Sequence, residues 1–248
     1  TTKTTTMKKA FKVLGYLVLG ILVLLAAALT YVKLALPNVG DAPQLTVQVT
    51  PEKIARGEYL ANHVTVCMDC HSKRDWTKFS GPVTPGTLGM GGDRFDESVG
   101  MPGVFYAKNV TPSGINRYSD GELFRLITTG VTKEGRAMFP LMPYPYYGKM
   151  DAEDVEAIIA YLRSIPAIKN DVPDSKPSFP MNFIINTIPQ KATLSKRPDT
   201  TDILAYGGYL TNAAGCVECH TPVEQGRIIS EKSFGGGRSF LFPDGSEL

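Results

Sequence analysis

A run of 20 uncharged residues from Val13 to Val32, mostly Leu, Val, Ile and Ala, limits what the start of this chain can become more than any other feature. As a helix rising about 1.5 Å per residue it reaches about 30 Å, the thickness of a bilayer's hydrocarbon core. Where water is absent every backbone polar group must be satisfied internally, so a single isolated span can only be helical. Lys3, Lys8, Lys9 and Lys12 precede the run and are expected on the cytoplasmic side, and Tyr16 and Tyr31 sit near its ends, where amphipathic rings favour the interface. The alternative is a cleaved secretory signal with Ala26-Ala27-Ala28 as its small-residue site. The apolar stretch continues past those alanines to Leu36, which favours an uncleaved anchor. Both readings export everything after Pro37. A buried core helix does not suit so long an apolar run beside four lysines.

The charge distribution agrees. Five of the 26 bases (Lys3, Lys8, Lys9, Lys12 and Lys33) lie before Pro37 without a single acid, leaving 21 bases against all 24 acids, a net of −3, in the remainder. A basic N-terminus on a mildly acidic body points to a membrane and excludes a strongly cationic nucleic-acid binder. Hydrophobic residues at 43% and charged ones at 20% are a globular composition, while 24 glycines and 18 prolines predict long loops.

The four cysteines fall as Cys67-Met68-Asp69-Cys70-His71 and Cys216-Val217-Glu218-Cys219-His220. Cys-x-x-Cys-His reads as c-type haem attachment. Two thiols about one helical turn apart can each add to one of the haem's two vinyl groups, and the adjacent His then lies beneath the iron as a proximal ligand. A thioredoxin-like pair does not require the His. Zinc knuckles usually stand about 12–20 residues apart, whereas 145 residues separate Cys70 from Cys216. Exported disulfides remain possible, although two bridges would leave both His unexplained. The cofactors expected are therefore two covalently attached haem c groups, on Cys67 and Cys70 and on Cys216 and Cys219, with His71 and His220 as iron ligands.

The surroundings of the two boxes repeat. Gly57-Glu58-Tyr59-Leu60-Ala61-Asn62 aligns with Gly207-Gly208-Tyr209-Leu210-Thr211-Asn212 ahead of them, and Gly91-Gly92-Asp93-Arg94-Phe95 echoes Gly236-Gly237-Arg238-Ser239-Phe240 behind. An offset of this kind marks duplication of one unit. In the first copy Thr50-Pro51 opens a helix as N-cap and first-turn proline, with Ile54 and Leu60 inward and Gly57 permitting a close helix crossing. Ser119-Asp120-Gly121-Glu122 is a capping box leading into Leu123, Phe124, Leu126 and Ile127. Asp151 caps a last helix in which Val155, Ile158, Ile159 and Leu162 recur at helical spacing, ending before Pro166.

With these motifs, with Asn109-Val110-Thr111-Pro112 and with Met142-Pro143-Tyr144, the chain resembles a membrane-anchored, multihaem cytochrome c. It is similar to the cytochrome subunits that accompany periplasmic dehydrogenases and bacterial respiratory complexes. The resemblance covers residues 51–166 fully and 201–248 partly. It implies that Met142 is the second axial ligand, opposite His71, and that Gly57 and Tyr161 meet where the terminal helices cross. From the residues alone, a Pro-bounded loop between two helices can hold a thioether rigidly. Met138 and Met150 are rivals, and Met142 as a simple core filler is the bland alternative. His63 reads as a helix-end residue.

The fold expected is mainly α: a basic cytoplasmic tail over 1–12, a transmembrane helix over 13–36, a linker over 37–50, a cytochrome c domain over 51–168, a Pro-rich connecting segment over 169–200 and a second, incomplete cytochrome c domain over 201–248. After His220 no Met, His or Cys follows. The expectation is that a C-terminal portion of the second copy is missing from the chain as read. The alternatives are a ligand from elsewhere, with Met181 a weak candidate, or an open iron. Phe179, Phe183, Ile184 and Ile185 argue for a connecting segment packed along the domains and not a free tether. Tyr144, Tyr146 and Tyr147 either pack against the haem pocket or form a docking rim. The function implied is electron transfer through two haems on the periplasmic side of the bacterial inner membrane, as a single-pass protein. Its partners would be the lipid bilayer, other subunits of a respiratory or dehydrogenase complex, and redox donor and acceptor proteins. A dihaem peroxidase-like enzyme with an open haem site is the alternative. No catalytic residues are assigned.

Overall fold

The computed structural model describes residues 2–224 and 227–239, with backbone alone for residues 2–10. The side chains of Lys3, Lys8 and Lys9, and Phe240 of the internal echo, lie outside the described residues. The first element, α1 (Thr2–Leu34), contains a 24-residue stretch from Phe11 to Leu34 long and apolar enough to cross a membrane. Its side chains are exposed on every face, from Phe11 and Leu17 to Leu24 and Leu34. A helix apolar all round needs a non-aqueous surrounding.

The helix α2 (Pro51–Tyr59) starts where the sequence places it. The Thr50 hydroxyl accepts from the Lys53 amide, and Pro51 occupies the first turn, where no amide partner is needed. A wider π turn, Leu60–Val64, follows, and Val66, at φ 45°, swings the chain into the short helix α3 (Cys67–His71). Long glycine-rich loops then lead to β1 (Arg94–Phe95) and β2 (Gly103–Tyr106), paired antiparallel with Phe95 opposite Phe105. A single helical turn, α4 (Pro112–Ile115), precedes α5 (Asp120–Thr129), where the Ser119/Glu122 capping box closes in both directions. Gly130, at φ 72°, ends α5 in the left-handed conformation that glycine adopts without strain.

After α6 (Tyr144–Tyr147), Asp151 caps α7 (Ala152–Ser164), which stops at Ile165 before Pro166. The α2 and α7 helices cross at Gly57, where an added Cβ would sit 1.9 Å from the Ala157 carbonyl oxygen and 2.8 Å from Tyr161 Cβ. Gly57 and Tyr161 thus meet at the crossing. Leu60, Val64, Met68, Leu123, Ile127, Val155, Ile158, Ile159 and Leu162 form the core between these helices.

Residues 169–200 run over this body as expected, but through backbone pairing more than through apolar side chains. In β3 (Lys176–Pro177) Pro177 lies opposite Gly103, extending the sheet in the order β1-β2-β3. Further along, Thr193 N donates to Gly148 O at 2.8 Å. Ile185, just past α8 (Met181–Ile184), is buried, whereas Phe179 is 82% exposed and Ile184 is exposed too. The segment packs along the body without burying those two side chains. The chain finishes its described part with α9 (Ile203–Ala213), α10 (Cys216–His220) and the hairpin strands β4 (Val223–Glu224) and β5 (Arg227–Ile228).

Candidate functional site

Cys67, Cys70 and His71 line a cavity of about 1010 Å³, at the upper end of the about 300–1,000 Å³ typical of cofactor pockets. The turn at Val66 is closed by Asp69 N donating to Val66 O, and it aims α3 along the cavity wall. His71 Nδ1 lies 2.6 Å from the Lys108 carbonyl oxygen. A ring nitrogen against a carbonyl carries the proton, which leaves Nε2 unprotonated and available to a metal. The loop bearing Lys108 is itself fixed. Asn109 Oδ1 accepts from the Thr111 amide at 2.9 Å and hydroxyl at 2.7 Å, while its Nδ2 donates to Ile168 O at 2.7 Å. The Asn109-Val110-Thr111-Pro112 motif therefore orients His71 through a neighbouring carbonyl.

Glycine is required behind the box. Gly91, at φ 70°, donates its amide to His71 O at 2.8 Å, and a Cβ there would lie 2.6 Å from Ala107 O. The Gly89 amide reaches the buried Ser72 hydroxyl at 3.0 Å.

Met142 lines the same cavity as His71, and so does Met138. Met150 is fully buried in the core and is not part of that lining. His63 is exposed at the end of the π turn, its ring 6.1 Å from that of Tyr59, as a helix-end residue. Tyr144 and Tyr147 are buried, Tyr144 beneath Gly130 and Tyr147 with its hydroxyl donating to Thr65 O at 2.6 Å. Tyr147 also lines the cavity, whereas Tyr144 packs against Gly130, and both are too buried to form a docking rim.

Burial pushes the Cys67 thiol up, and burial with the charge of Asp69 pushes Cys70 up to about 11. Burial also lowers His71, against the hydrogen bond to Lys108, so the imidazole is neutral, the form that ligates iron. All four cysteines are free, so the disulfide alternative is not realised. The cavity lining also includes Lys33, at the end of α1, and Leu36 just beyond it, together with Asn182 and Ile185, and Lys33 Nζ donates to Asn182 O at 2.7 Å. Asn182 Oδ1 is buried there without a hydrogen-bond partner among the described residues. A large cavity with two thiols and an oriented imidazole on one wall and a thioether on its lining fits a haem c.

The second box repeats the backbone of the first. Gly215, at φ 63°, replaces Val66 before the cysteine helix, and Glu218 N donates to Gly215 O. Gly236 N donates to His220 O at 2.8 Å, as Gly91 does to His71, and Phe234 N reaches the Thr221 hydroxyl at 3.0 Å, as Gly89 reaches Ser72. The recurrence lies in the backbone around the box. The surroundings of the two boxes differ, since Cys219 and His220 are exposed. Met181 opens α8, whose Asn182 lines the first cavity, and so lies on the first box's side.

The two boxes are held together by contacts that sequence reading missed. Asp154, wholly buried on α7, accepts from Arg56 Nη2 at 2.6 Å, Tyr209 OH at 2.7 Å and Arg197 Nη1 at 2.5 Å. Burial opposes its charge, but the hydrogen bonds from Arg56 and Tyr209, with the charges of Arg56 and Arg197, outweigh that and hold its carboxyl below the usual range. A buried polar position on an otherwise apolar helix face was the only hint. Lys108 acts through its carbonyl and left no signal of its own beyond preceding Asn109.

No protein-family model matches the chain. The cytochrome c subunit of quinone alcohol dehydrogenase from Gluconacetobacter polyoxogenes is 28% identical over 218 residues, covering 82% of this chain and 43% of its own length. The gluconate 2-dehydrogenase cytochrome c subunit of Pantoea cypripedii is 28% identical over 214 residues, with the same two coverages of 82% and 43%. The fructose dehydrogenase cytochrome subunit of Gluconobacter japonicus is 31% identical over 184 residues, covering 68% of this chain and 35% of its own length. The chain spans less than half the length of these relatives. It is similar to cytochrome c subunits of dehydrogenase complexes, which supports electron transfer and implies covalent haem c.

Proposed function

We propose that this chain is a membrane-anchored electron-transfer subunit that binds one haem c at each box, on the periplasmic side of a bacterial inner membrane, and relays electrons from a dehydrogenase or respiratory partner to an acceptor. The observation that carries this reading is the Lys108 carbonyl set against His71 Nδ1, in a cavity shared with Cys67, Cys70 and Met142. When bound, haem c supplies an iron that gains and loses one electron. Cys67 and Cys70 would tether the first haem, and His71, through Nε2, and Met142 would ligate its iron. A filled coordination sphere carries electrons without binding substrate. Cys216, Cys219 and His220 would hold the second haem in the same manner. The lysines before Val13 and the apolar helix would anchor the chain with its body outside.

The test is a haem count on the full-length protein purified in mild detergent. Acid–acetone extraction of the denatured polypeptide should leave two haems per chain bound, and bands co-purifying with it should include a dehydrogenase subunit. A colourless extracted polypeptide removes the reading.

A further inference from the structure

Adjacent tyrosines on α6 reach different boxes. Tyr147 donates to Thr65 O, two residues before Cys67, at 2.6 Å. Tyr146 donates to the Glu218 carboxylate, inside the second box, at 2.5 Å. Asn212 Nδ2 donates back to Tyr146 O at 3.3 Å, and the Tyr146 ring lies 3.8 Å from where a Cβ on Gly215 would sit. The same short segment begins just after Met142 and Pro143, on the lining of the first cavity. The other described hydrogen bonds between the two regions, joining Asp151 N and Asp154 to Tyr209 and Arg56 to Tyr206, end on α9. On Glu218 the only other charge described is Arg238, 3.5 Å from its second oxygen.

We propose that Tyr146 is a positioning residue for electron passage between the boxes. It pins α10 to the segment that carries Met142, and so fixes the separation and orientation of the two groups the boxes hold. This inference rests on the proposed function, since it requires a haem at each box. With a haem at each box, the transfer would move one electron, oxidising one iron and reducing the other, with no bond made and no proton moved. A phenol bonded to a carboxylate is worth more than a neutral pair, because the acceptor is ionised.

The experiment uses the full-length holoprotein in detergent, with haem counted first and electron redistribution between the haems then followed after a reducing light pulse. Loss of the hydrogen bond to a charged carboxylate loosens the hold on α10, so Tyr146→Phe is expected to slow redistribution and to broaden the haem–haem distance distribution seen by pulsed electron paramagnetic resonance. Glu218→Ala should reproduce both effects. Tyr206→Phe, which removes an inter-region hydrogen bond remote from the boxes, should leave both unchanged and so separates positioning from general loosening. A Tyr146→Phe protein with two haems, wild-type redistribution and an unbroadened distance overturns the inference alone. A wild-type protein with fewer than two haems overturns the proposed function, and this inference with it.

Discussion

Around His71 and around His220 the chain makes the same backbone contacts, yet His71 lines a large cavity and His220 is exposed. The turn before the cysteines, the glycine amide on the histidine carbonyl and the amide on the following hydroxyl all recur. These contacts span at most about twenty residues, so they form wherever the local pattern is present. Enclosure is different. Around the first box it comes from α5, α6 and α7, elements 50 to 90 residues further on. Gly57 and Gly207, equivalent by sequence, show the contrast. A side chain on Gly57 would strike the α7 backbone, whereas one on Gly207 would meet nothing within 4 Å among the described residues. Ile203 and Leu204, beside Gly207, are 80% and 89% exposed. A binding box is a local property and a pocket is not.

The sharpest way to break this contrast is to place alanine at both glycines. Gly57→Ala forces α2 and α7 apart and should cost about 3 kcal/mol, at the upper end for overpacking. In a polypeptide of residues 1–248, where a Cβ on Gly207 meets nothing within 4 Å among the described residues, Gly207→Ala should stabilise by about 0.5–1 kcal/mol, the ordinary gain of replacing glycine inside a helix. Thermal unfolding of the two holoproteins, monitored by circular dichroism, reads both signs. Equal effects would mean that the two helices are equivalently packed.

A second pair of measurements concerns the contact between the regions. Asp154→Asn removes the charge that Arg56, Arg197 and Tyr209 converge on, and should destabilise by about 2 kcal/mol. Because the folded carboxyl titrates below its unfolded value, its contribution is fully present above about pH 4 and is lost as pH falls further. Denaturant midpoints between pH 3 and 6 should therefore fall more steeply in the wild type than in Asp154→Asn. Parallel pH profiles would remove Asp154 from this role.

Asn109→Ala should cost about 1–2 kcal/mol by leaving the buried Thr111 amide unpaired. Its diagnostic effect is selective, because releasing the Lys108 carbonyl should perturb the haem ligated by His71 and spare the one at His220. Resonance Raman of the iron–histidine region would show a change in both haems if the effect were general. The smallest change in stability, with a clear redox effect, is expected for Met142→Ala. It should lower the first haem's midpoint potential by on the order of 0.1–0.2 V, within the about 0.8 V that axial ligands control, while Met138→Ala leaves it in place. An unchanged potentiometric titration for Met142→Ala, with a shift for Met138→Ala, would exchange the two methionines.

Much of the first region was legible because its signals are short-ranged. Thr50-Pro51, the Ser119/Glu122 box, Asp151 and the spacing of Val155, Ile158 and Leu162 each act within a turn or two of helix. The close approach at Gly57 was readable because a glycine inside an otherwise ordinary helix has few other reasons to be there. The choice among Met138, Met142 and Met150 was not readable, since all three share one loop region and only burial separates Met150. The burial of Tyr144 and Tyr147 was likewise undecided, because an aromatic run in a proline-rich loop can face either way. Phe179 was misread since its apolarity does not say whether the packed segment buries it.

Sequence alone determined the apolar span, the two cysteine–histidine boxes and the caps, because each depends on residues a few positions apart, and it gave the duplication by comparing two such local patterns. Only the tertiary structure decided that Lys108 orients His71 across 37 residues, that Asp154 gathers Arg56, Arg197 and Tyr209, and that Tyr146 reaches Glu218 across 72. Such contacts join groups whose meeting depends on how whole helices pack, and no local pattern of residues encodes that distance.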